Sequence, residues 1–253
     1  MPPRRFDAVI CDIDGCLAPE SSDPIDTAAL ARIAEHNRRA QQDHDRPVVT
    51  LCSGRPEPFV ESICRAIGNR TLPAIAENGV WLFHPDRNGW DRDPSISAEH
   101  LRTVQEAQHW VQATLGPRGV VMQPGKTASL SLYHPDTEFL RTLEGPVRDE
   151  FARRGWQFRV SMTWLYINCD LAHISKGTAI DRLTAQTGLG AGRLAGIGDT
   201  EGDRYIADRV SWFACPGNAG ETIRRRAHFI AENHEIHGVL EILARLSPDA
   251  GPA

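Results

Sequence analysis

The chain has 253 residues and a hydrophobic content of 41%, which are enough for one large domain or two smaller ones. Its formal net charge is −5. The negative charge argues against a nucleic-acid partner, which needs a basic face. No apolar stretch reaches the roughly 20 residues of a membrane span, and residues 1–5 lead directly into an apolar segment, so we expect neither a membrane partner nor a signal peptide.

The first predicted strand ends in two carboxylates. Val9, Ile10 and Cys11 are apolar, as in a buried parallel strand, and Asp12 and Asp14 follow at its carboxyl end. Ligands of α/β proteins bind where the chain leaves such strands. Two carboxylates one residue apart repel each other unless a cation or a shared proton intervenes. The segment therefore predicts a ligand site, with an ordinary acidic turn as the alternative.

The second predicted strand covers residues 48–52 and ends in Ser53, Gly54 and Arg55. The Ser53 hydroxyl and the backbone N–H groups of a helix start both suit an anion such as phosphate. A simple helix cap by Ser53 is the alternative, because serine is common at that position.

A different pattern occupies the region between about residues 83 and 171. It contains two helix-like stretches, the second interrupted at Gly145 and Pro146, and four strand-like ones. The helices are predicted over 97–115 and 137–154, and the strands over 120–123, 128–133, 157–160 and 164–168. This order predicts a separate α+β domain inserted into the strand–helix alternation on either side.

Two later segments supply partners for the acidic pair. Lys176 opens a helix-like stretch that Gly188 ends, and a lysine in the first turn opposes the helix dipole, so an anion is expected near it. The alternative is a solvated surface lysine. Residues 194–197 form another apolar strand, followed by Asp199 and Asp203. Hard carboxylate oxygens suit Mg²⁺, although an acidic loop without a metal is the alternative.

Together these motifs resemble the haloacid dehalogenase superfamily. They are, in order, Asp12-Ile13-Asp14-Gly15, Ser53, Lys176 and Gly198-Asp199 with Asp203. Residues 76–79, 215–219 and 237–239 resemble the Cof-type branch with a type IIB cap. The resemblance implies an α/β fold with a doubly wound, Rossmann-like parallel sheet. The catalytic core would comprise residues 1–83 and 172–253, and the α+β cap residues 84–171.

The resemblance also implies catalytic roles. Asp12 would be the nucleophile that forms an aspartyl-phosphate, and Asp14 the general acid and base. Ser53 and Lys176 would hold the phosphoryl oxygens. The metal would be Mg²⁺, with Asp12, the Asp14 carbonyl and Asp199 as ligands and Asp203 in support through water or hydrogen bonds. Two positions depart from the family pattern, namely Cys16 and Gly202, where threonine or valine and asparagine are usual; they put metal affinity and loop rigidity in question.

The cap is expected to select the substrate, because the core motifs bind only phosphate and metal. The candidate substrate contacts are Gly54, Arg55, Glu77, Asn78, Lys126, Asn168 and His173, with Arg159 and Trp164 as further cap candidates. Lys126, on a Pro-Gly turn, is the strongest, with a solvated turn lysine as the alternative. The alternation of Trp164 with Tyr166 favours core packing for Trp164, and His173 could instead serve the domain junction.

These inferences predict a Mg²⁺-dependent phosphatase of a small phosphorylated metabolite, with sugar phosphate the leading class by resemblance. Phosphoglycolate or a phosphoglycerate-type substrate comes second and a phosphomutase third. A receiver-like signalling module, or a binding protein without turnover, represents a different class. A cysteine-based phosphatase is excluded, because neither Cys11 nor Cys52 is followed by arginine at the required spacing.

The six cysteines lack the spacing of a zinc site or a disulfide framework. They predict small buried thiols and a cytoplasmic location. We expect a monomer or a homodimer.

Overall fold

The structure is a computed structural model that describes residues 4–247, so residues 1–3 of the N-terminal lead and 248–253 of the predicted core lie outside it. The strands of the described residues are β1 (Ala8–Cys11), β2 (Val48–Leu51), β3 (Ala74–Ala76), β4 (Trp81–His84), β5 (Gly89–Arg92), β6 (Val121–Met122), β7 (Ser129–Tyr133), β8 (Phe158–Met162), β9 (Tyr166–Leu171), β10 (Leu194–Ile197), β11 (Trp212–Cys215) and β12 (Phe229–Ile230). The helices are α1 (Thr27–Asp43), α2 (Glu57–Ala66), α3 (Ala98–Thr114), α4 (Thr137–Arg153), α5 (Lys176–Thr187), α6 (Arg204–Ala207), α7 (Glu221–Arg224) and α8 (Glu235–Arg245).

The core is a five-stranded parallel sheet in the order β12-β11-β10-β1-β2. In its register Cys11 lies beside Ile197 on one side and Leu51 on the other. Strands β10, β1 and β2 therefore end at the same level. Whatever follows them in sequence is brought to one edge of the sheet.

Helices cover both faces of this sheet. Val9 and Cys11 of β1 pack into one apolar cluster with residues of α1, α2 and α8. Ala8 and Ile10 point the other way, into a second cluster with residues of α5 and α6. Because successive strand residues face opposite sides, this split buries β1 completely. The predicted α/β fold with a doubly wound parallel sheet is confirmed.

The inserted region forms a four-stranded antiparallel sheet in the order β6-β7-β9-β8. Leu130 and Leu132 of β7, together with Ile167 and Cys169 of β9, join an apolar cluster with α3 and α4. The intervening residues of both strands are polar and face away from these helices. A three-stranded sheet, β3-β4-β5, connects the core to this region. The proposed boundaries, 1–83 and 172–253 against 84–171, stay a prediction.

The structure corrects two local expectations. Helix α4 continues through Gly145 and Pro146, so the predicted interruption is wrong. Its apolar stripe, which includes Leu143 and Val147, packs on the cap sheet and maintains the helix, while the Pro146 side is exposed. Strand β9 begins at Tyr166 rather than at residue 164.

The predicted ends of two helices agree with the structure. Ser97 caps α3 by accepting a hydrogen bond from the His100 backbone, and Gly188 ends α5 in the left-handed region at φ 72°. Within the described part of the chain, no helix is both long enough and apolar enough to cross a membrane.

Candidate functional site

Asp12 lies buried at the carboxyl end of β1, where the parallel strands end together. Its Oδ1 accepts a hydrogen bond from the Ile13 backbone N–H at 2.8 Å, and its Oδ2 lies 2.8 Å from Lys176 Nζ. Burial and the neighbouring Asp203 carboxylate raise the pKa of Asp12, whereas Lys176 lowers it. The carboxylate is therefore held in one orientation and depends on nearby cations for its charge.

Lys176 is the first residue of α5, and Ser175 caps that helix through the Thr178 backbone N–H. Its Nζ lies 2.8 Å from Asp12 Oδ2 and 2.7 Å from Asp203 Oδ1. Burial lowers the pKa of Lys176, but the two carboxylates outweigh this effect, and the net pKa is well above the ordinary value. The site therefore contains a fixed, buried positive charge.

Asp203 is fully buried and uses both carboxylate oxygens. Oδ1 pairs with Lys176, while Oδ2 accepts hydrogen bonds from the backbone N–H groups of Asp199 and Thr200, each at 3.0 Å. The Thr200 hydroxyl donates to the same oxygen at 3.2 Å. Asp203 thus shapes the loop after β10, which suits a supporting position for a metal better than direct ligation.

Asp199 is the carboxylate of the cluster that a bound cation would stabilise most. Its Oδ1 is buried and has no hydrogen-bond partner among the described residues. Burial and Asp203 raise the pKa of Asp199 to about 8. Carboxylate oxygens of Asp12, Asp199 and Asp203 lie within 4.8 Å of one another. This all-oxygen donor set fits a hard divalent cation such as Mg²⁺.

Gly15 makes room for the Asp199 carboxylate. A Cβ atom at this position would lie 2.0 Å from Asp199 Oδ2, and the backbone φ is +70°. Both facts require glycine here. The Gly15 carbonyl also accepts a hydrogen bond from Asn218 Nδ2 at 2.8 Å, which joins the loop after β1 to the loop after β11.

The loop after β2 lies beside the acidic cluster. Ser53 is fully buried, and its hydroxyl accepts a hydrogen bond from the Arg55 backbone N–H at 3.1 Å. The Ser53 carbonyl accepts one from Asn78 N–H at 3.0 Å. The Arg55 guanidinium extends into the site and pairs with Asp14.

A cavity of about 510 Å³ opens between this edge of the core and the polar face of the cap sheet. Of the predicted site residues, those that line it are Asp12, Asp14, Gly54, Arg55, Asn78, Lys126, Arg159, Trp164, Asn168, Lys176 and Asp199. Ser53 and Asp203 are not themselves lining residues, but each forms a hydrogen bond with a residue that lines the cavity. The structure therefore brings most of the predicted residues to one cavity.

Glu77 and His173 are not brought into the cavity. The fully buried Glu77 carboxylate accepts hydrogen bonds from the backbone N–H groups of Thr127 (2.7 Å) and Ala128 (2.8 Å) and from the Ser129 hydroxyl (3.0 Å). It joins the core to the turn before β7. The exposed His173 ring lies against the His100 ring, with centroids 4.5 Å apart and the planes tilted by 40°.

Several cavity residues were not predicted. Asp170 accepts hydrogen bonds from Asn78 and Arg159. It follows Tyr166 and Asn168 on the polar face of β9, so the strand's alternation was a usable signal. Glu20 reaches the cavity from the loop after Asp14, and burial raises its pKa to about 7. Nothing in its local sequence marks it.

Trp164 contradicts the expectation of core packing. It occupies the tight turn between β8 and β9, lines the cavity mouth and is 68% exposed. The turn carries the side chain beyond the cap's apolar cluster, so the period-two pattern that suggested packing does not apply to it.

Comparisons with known proteins agree with this architecture. The family model described as haloacid dehalogenase-like hydrolase matches residues 124–243. A phosphoglycolate phosphatase of Halorubrum lacusprofundi is 28% identical over 246 residues, covering 93% of this chain and 95% of its own.

Two solved structures share the fold. A protein of Thermoplasma acidophilum superposes with a TM-score of 0.72 at 21% identity, covering 95% of this chain and 98% of its own. The sucrose-phosphatase of Synechocystis, solved with sucrose and phosphate, superposes with a TM-score of 0.64 at 16% identity, covering 96% and 98%.

The fold, the acidic cluster and these similarities define the protein as a hydrolase. The chain resembles the haloacid dehalogenase-like hydrolases, and the predicted resemblance to the Cof-type branch is confirmed.

Proposed function

We propose that the protein is a Mg²⁺-dependent phosphatase that hydrolyses a small phosphorylated metabolite through an aspartyl-phosphate on Asp12. The observation that carries this proposal is the buried contact of Asp12 with Lys176, whose second carboxylate partner is Asp203. This arrangement holds a carboxylate at the cavity wall beside a fixed positive charge. Such a charge stabilises the phosphoryl oxygens of an incoming ester.

The reaction divides into two displacements. An Asp12 carboxylate oxygen attacks phosphorus, and the bond from phosphorus to the alcohol oxygen breaks while Asp14 gives that oxygen a proton. Asp14 then removes a proton from water, whose oxygen attacks the phosphorus and releases phosphate from Asp12. Lys176 and Ser53 orient the phosphoryl oxygens throughout.

The residues that would hold Mg²⁺ are Asp12, the backbone carbonyl of Asp14, and Asp199, with Asp203 in support. The bound ion supplies positive charge that offsets the carboxylates and the phosphate dianion. The buried and unpartnered Asp199 Oδ1 supports this assignment.

Two substrate classes are compatible with the site. The many polar side chains that line the cavity and the resemblance favour a sugar phosphate. Relatives that align over nearly the whole chain are phosphoglycolate phosphatases, which supports phosphoglycolate or a related phosphorylated acid. We also propose that the protein is cytoplasmic and is a monomer or a homodimer.

The deciding experiment is phosphate release from p-nitrophenyl phosphate and a metabolite panel, with and without Mg²⁺, for the wild type and Asp12→Asn. We expect Mg²⁺-dependent turnover by the wild type and none by a folded Asp12→Asn. Turnover by Asp12→Asn within tenfold of the wild type would contradict the role of Asp12. A phosphoryl group that persists on the wild type for minutes would instead indicate a receiver-like module, and binding without turnover would indicate a binding protein.

A further inference from the structure

Lysine is rare in this chain, and both of its lysines line one cavity. Of the 28 lysine and arginine residues, only Lys126 and Lys176 are lysines. The two residue types differ, because the ammonium group is a compact point charge and the guanidinium is a planar fork. Lys176 lies between two carboxylates of the core. The carboxylates that hold Lys176 therefore do not account for the lysine at position 126.

Lys126 lacks a carboxylate partner, unlike every other cation that lines the cavity. Its Nζ donates to the Ser131 hydroxyl, and within residues 4–247 no carboxylate oxygen lies within 4.0 Å of it. The other cations all have such a partner, in the pairs Arg55 with Asp14, Arg141 with Glu138, Arg159 with Asp170, Lys176 with Asp12, and Arg204 with Glu201. Burial lowers the pKa of Lys126.

The hydrogen bonds around Lys126 run in one direction. An ammonium group can only donate, so the Ser131 oxygen accepts from Lys126 and its own proton goes to Asn168 Oδ1. The Asn168 amide therefore turns its N–H₂ group away from Ser131. That group has no hydrogen-bond partner among the described residues, and Asn168 lines the cavity.

This corner of the cavity consequently offers donors from Lys126 and Asn168. The nearest competing carboxylates, Asp170 and Glu77, are already engaged. Asp170 accepts from Asn78 and Arg159, and Glu77 accepts from the turn before β7. Neither pairs directly with Lys126. A carboxylate, which only accepts, matches the corner, whereas the proton of a hydroxyl would find no acceptor on these two groups.

We propose that Lys126 and Asn168 bind a carboxylate on the alcohol part of the substrate, so that the substrate is the phosphate ester of a hydroxy acid. The inference rests on the proposed phosphatase function and narrows its substrate class. The positive charge of Lys126 attracts the carboxylate, and the Asn168 N–H₂ group fixes its orientation. The cap then selects the distal end of the substrate, which is the end that carries the carboxylate, while the core binds the phosphate.

The test uses esters that differ only at the distal group. Phosphoglycolate is compared with 2-hydroxyethyl phosphate, 3-phosphoglycerate with glycerol 3-phosphate, and 6-phosphogluconate with glucitol 6-phosphate. We expect kcat/KM to favour the acid of at least one pair by tenfold or more. Lys126→Met should remove most of that preference, as the loss of a charged hydrogen bond does. Arg141→Met, which removes a paired cation from the same cavity, should retain it.

Binding separates this inference from the proposed function. Calorimetry of folded Asp12→Asn should show at least tenfold tighter binding of the preferred acid than of its alcohol, and a loss of that difference in Asp12→Asn with Lys126→Met. If the wild type hydrolyses p-nitrophenyl phosphate but favours no acid over its alcohol, the carboxylate inference is overturned and the phosphatase stands. Lys126-dependent binding of the acid without turnover would support the carboxylate subsite and overturn the phosphatase. A preference for fructose 1,6-bisphosphate over every acid, lost in Lys126→Met, would overturn the carboxylate inference and assign Lys126 to a second phosphate.

Discussion

Both carboxylate oxygens of Asp14 accept hydrogen bonds from the Arg55 guanidinium. Nε lies 2.9 Å from each oxygen, and Nη2 lies 2.5 Å from Oδ1. Arg55 also lies over the Phe59 ring, with its Cζ 5.1 Å from the centroid, which limits its movement. Asp14 is therefore oriented by the loop after β2, although it follows β1 in the chain. For the proposed role of general acid and base, one Asp14 oxygen must leave Arg55 to carry the proton, while the other keeps the carboxyl group oriented.

This relationship yields a prediction for Asp14 that depends on the leaving group. Asp14→Asn should slow turnover of an alkyl phosphate by about a hundredfold or more, the usual scale of general acid–base catalysis. The loss should be smaller with p-nitrophenyl phosphate, whose leaving group needs no proton. Steady-state kinetics on both substrates would measure the difference. Equal losses would indicate that Asp14 acts on structure or metal binding.

The second prediction concerns the metal. Because Asp199 carries the buried carboxylate oxygen without a partner, Mg²⁺ should raise the thermal unfolding midpoint of the wild type but not that of Asp199→Asn. The wild type should also lose activity in EDTA and recover it with Mg²⁺. The exposed Glu221→Gln variant is the control and should respond like the wild type. A full Mg²⁺ shift in Asp199→Asn would remove Asp199 from the metal site.

The third prediction is that Glu77 stabilises the joint between core and cap rather than binding substrate. Glu77→Ala should lower the free energy of unfolding by about 2 kcal/mol or more, because the Ala128 N–H would be left buried without an acceptor. Urea denaturation would measure the loss, with Glu221→Ala as an exposed control. An unchanged stability together with a raised KM would return Glu77 to the substrate site.

The fourth prediction concerns acid sensitivity at His36. Burial lowers its pKa to about 4, and Nε2 lies 2.8 Å from the Pro47 carbonyl. The unfolded chain, with an ordinary histidine pKa near 6.5, takes up a proton before the folded protein does. Protonation of His36 in the unfolded chain should therefore lower the free energy of unfolding by about 2 kcal/mol as the pH falls from 7.5 to 5.

Urea denaturation at the two pH values would test this contribution. His36→Gln should lose about that much less stability on acidification than the wild type does. The variant His109→Gln, at an exposed position, should lose as much stability on acidification as the wild type does. Identical acid sensitivity in all three proteins would show that His36 does not set it.

The elements nearest the reactive groups could be predicted from local sequence alone. Apolar runs that end in Asp12, Ser53 and Asp199 mark parallel strands, and the sheet register then brings their ends together. The helix that starts at Lys176 has its own cap and its own terminating glycine. These signals lie within a few residues of the groups they position.

What the sequence could not predict depends on distant contacts. The Glu77 carboxylate turns toward the cap because its oxygens accept hydrogen bonds from backbone N–H groups some 50 residues away in the sequence. Trp164 is exposed because of the turn that contains it, and α4 continues past Pro146 because its opposite face is packed. Glu20 enters the cavity through the path of its loop. No short window of sequence contains these partners.

The contact between Gly15 and Asp199 also constrains how this protein can evolve. Any side chain at position 15 would displace the carboxylate of a loop that lies far away in the sequence. The two loops are therefore epistatic, since a substitution in one is tolerated only with a compensating shift in the other. Variation among descendants of this chain should accordingly accumulate on the cap, where residues such as Trp164 can change without disturbing that contact.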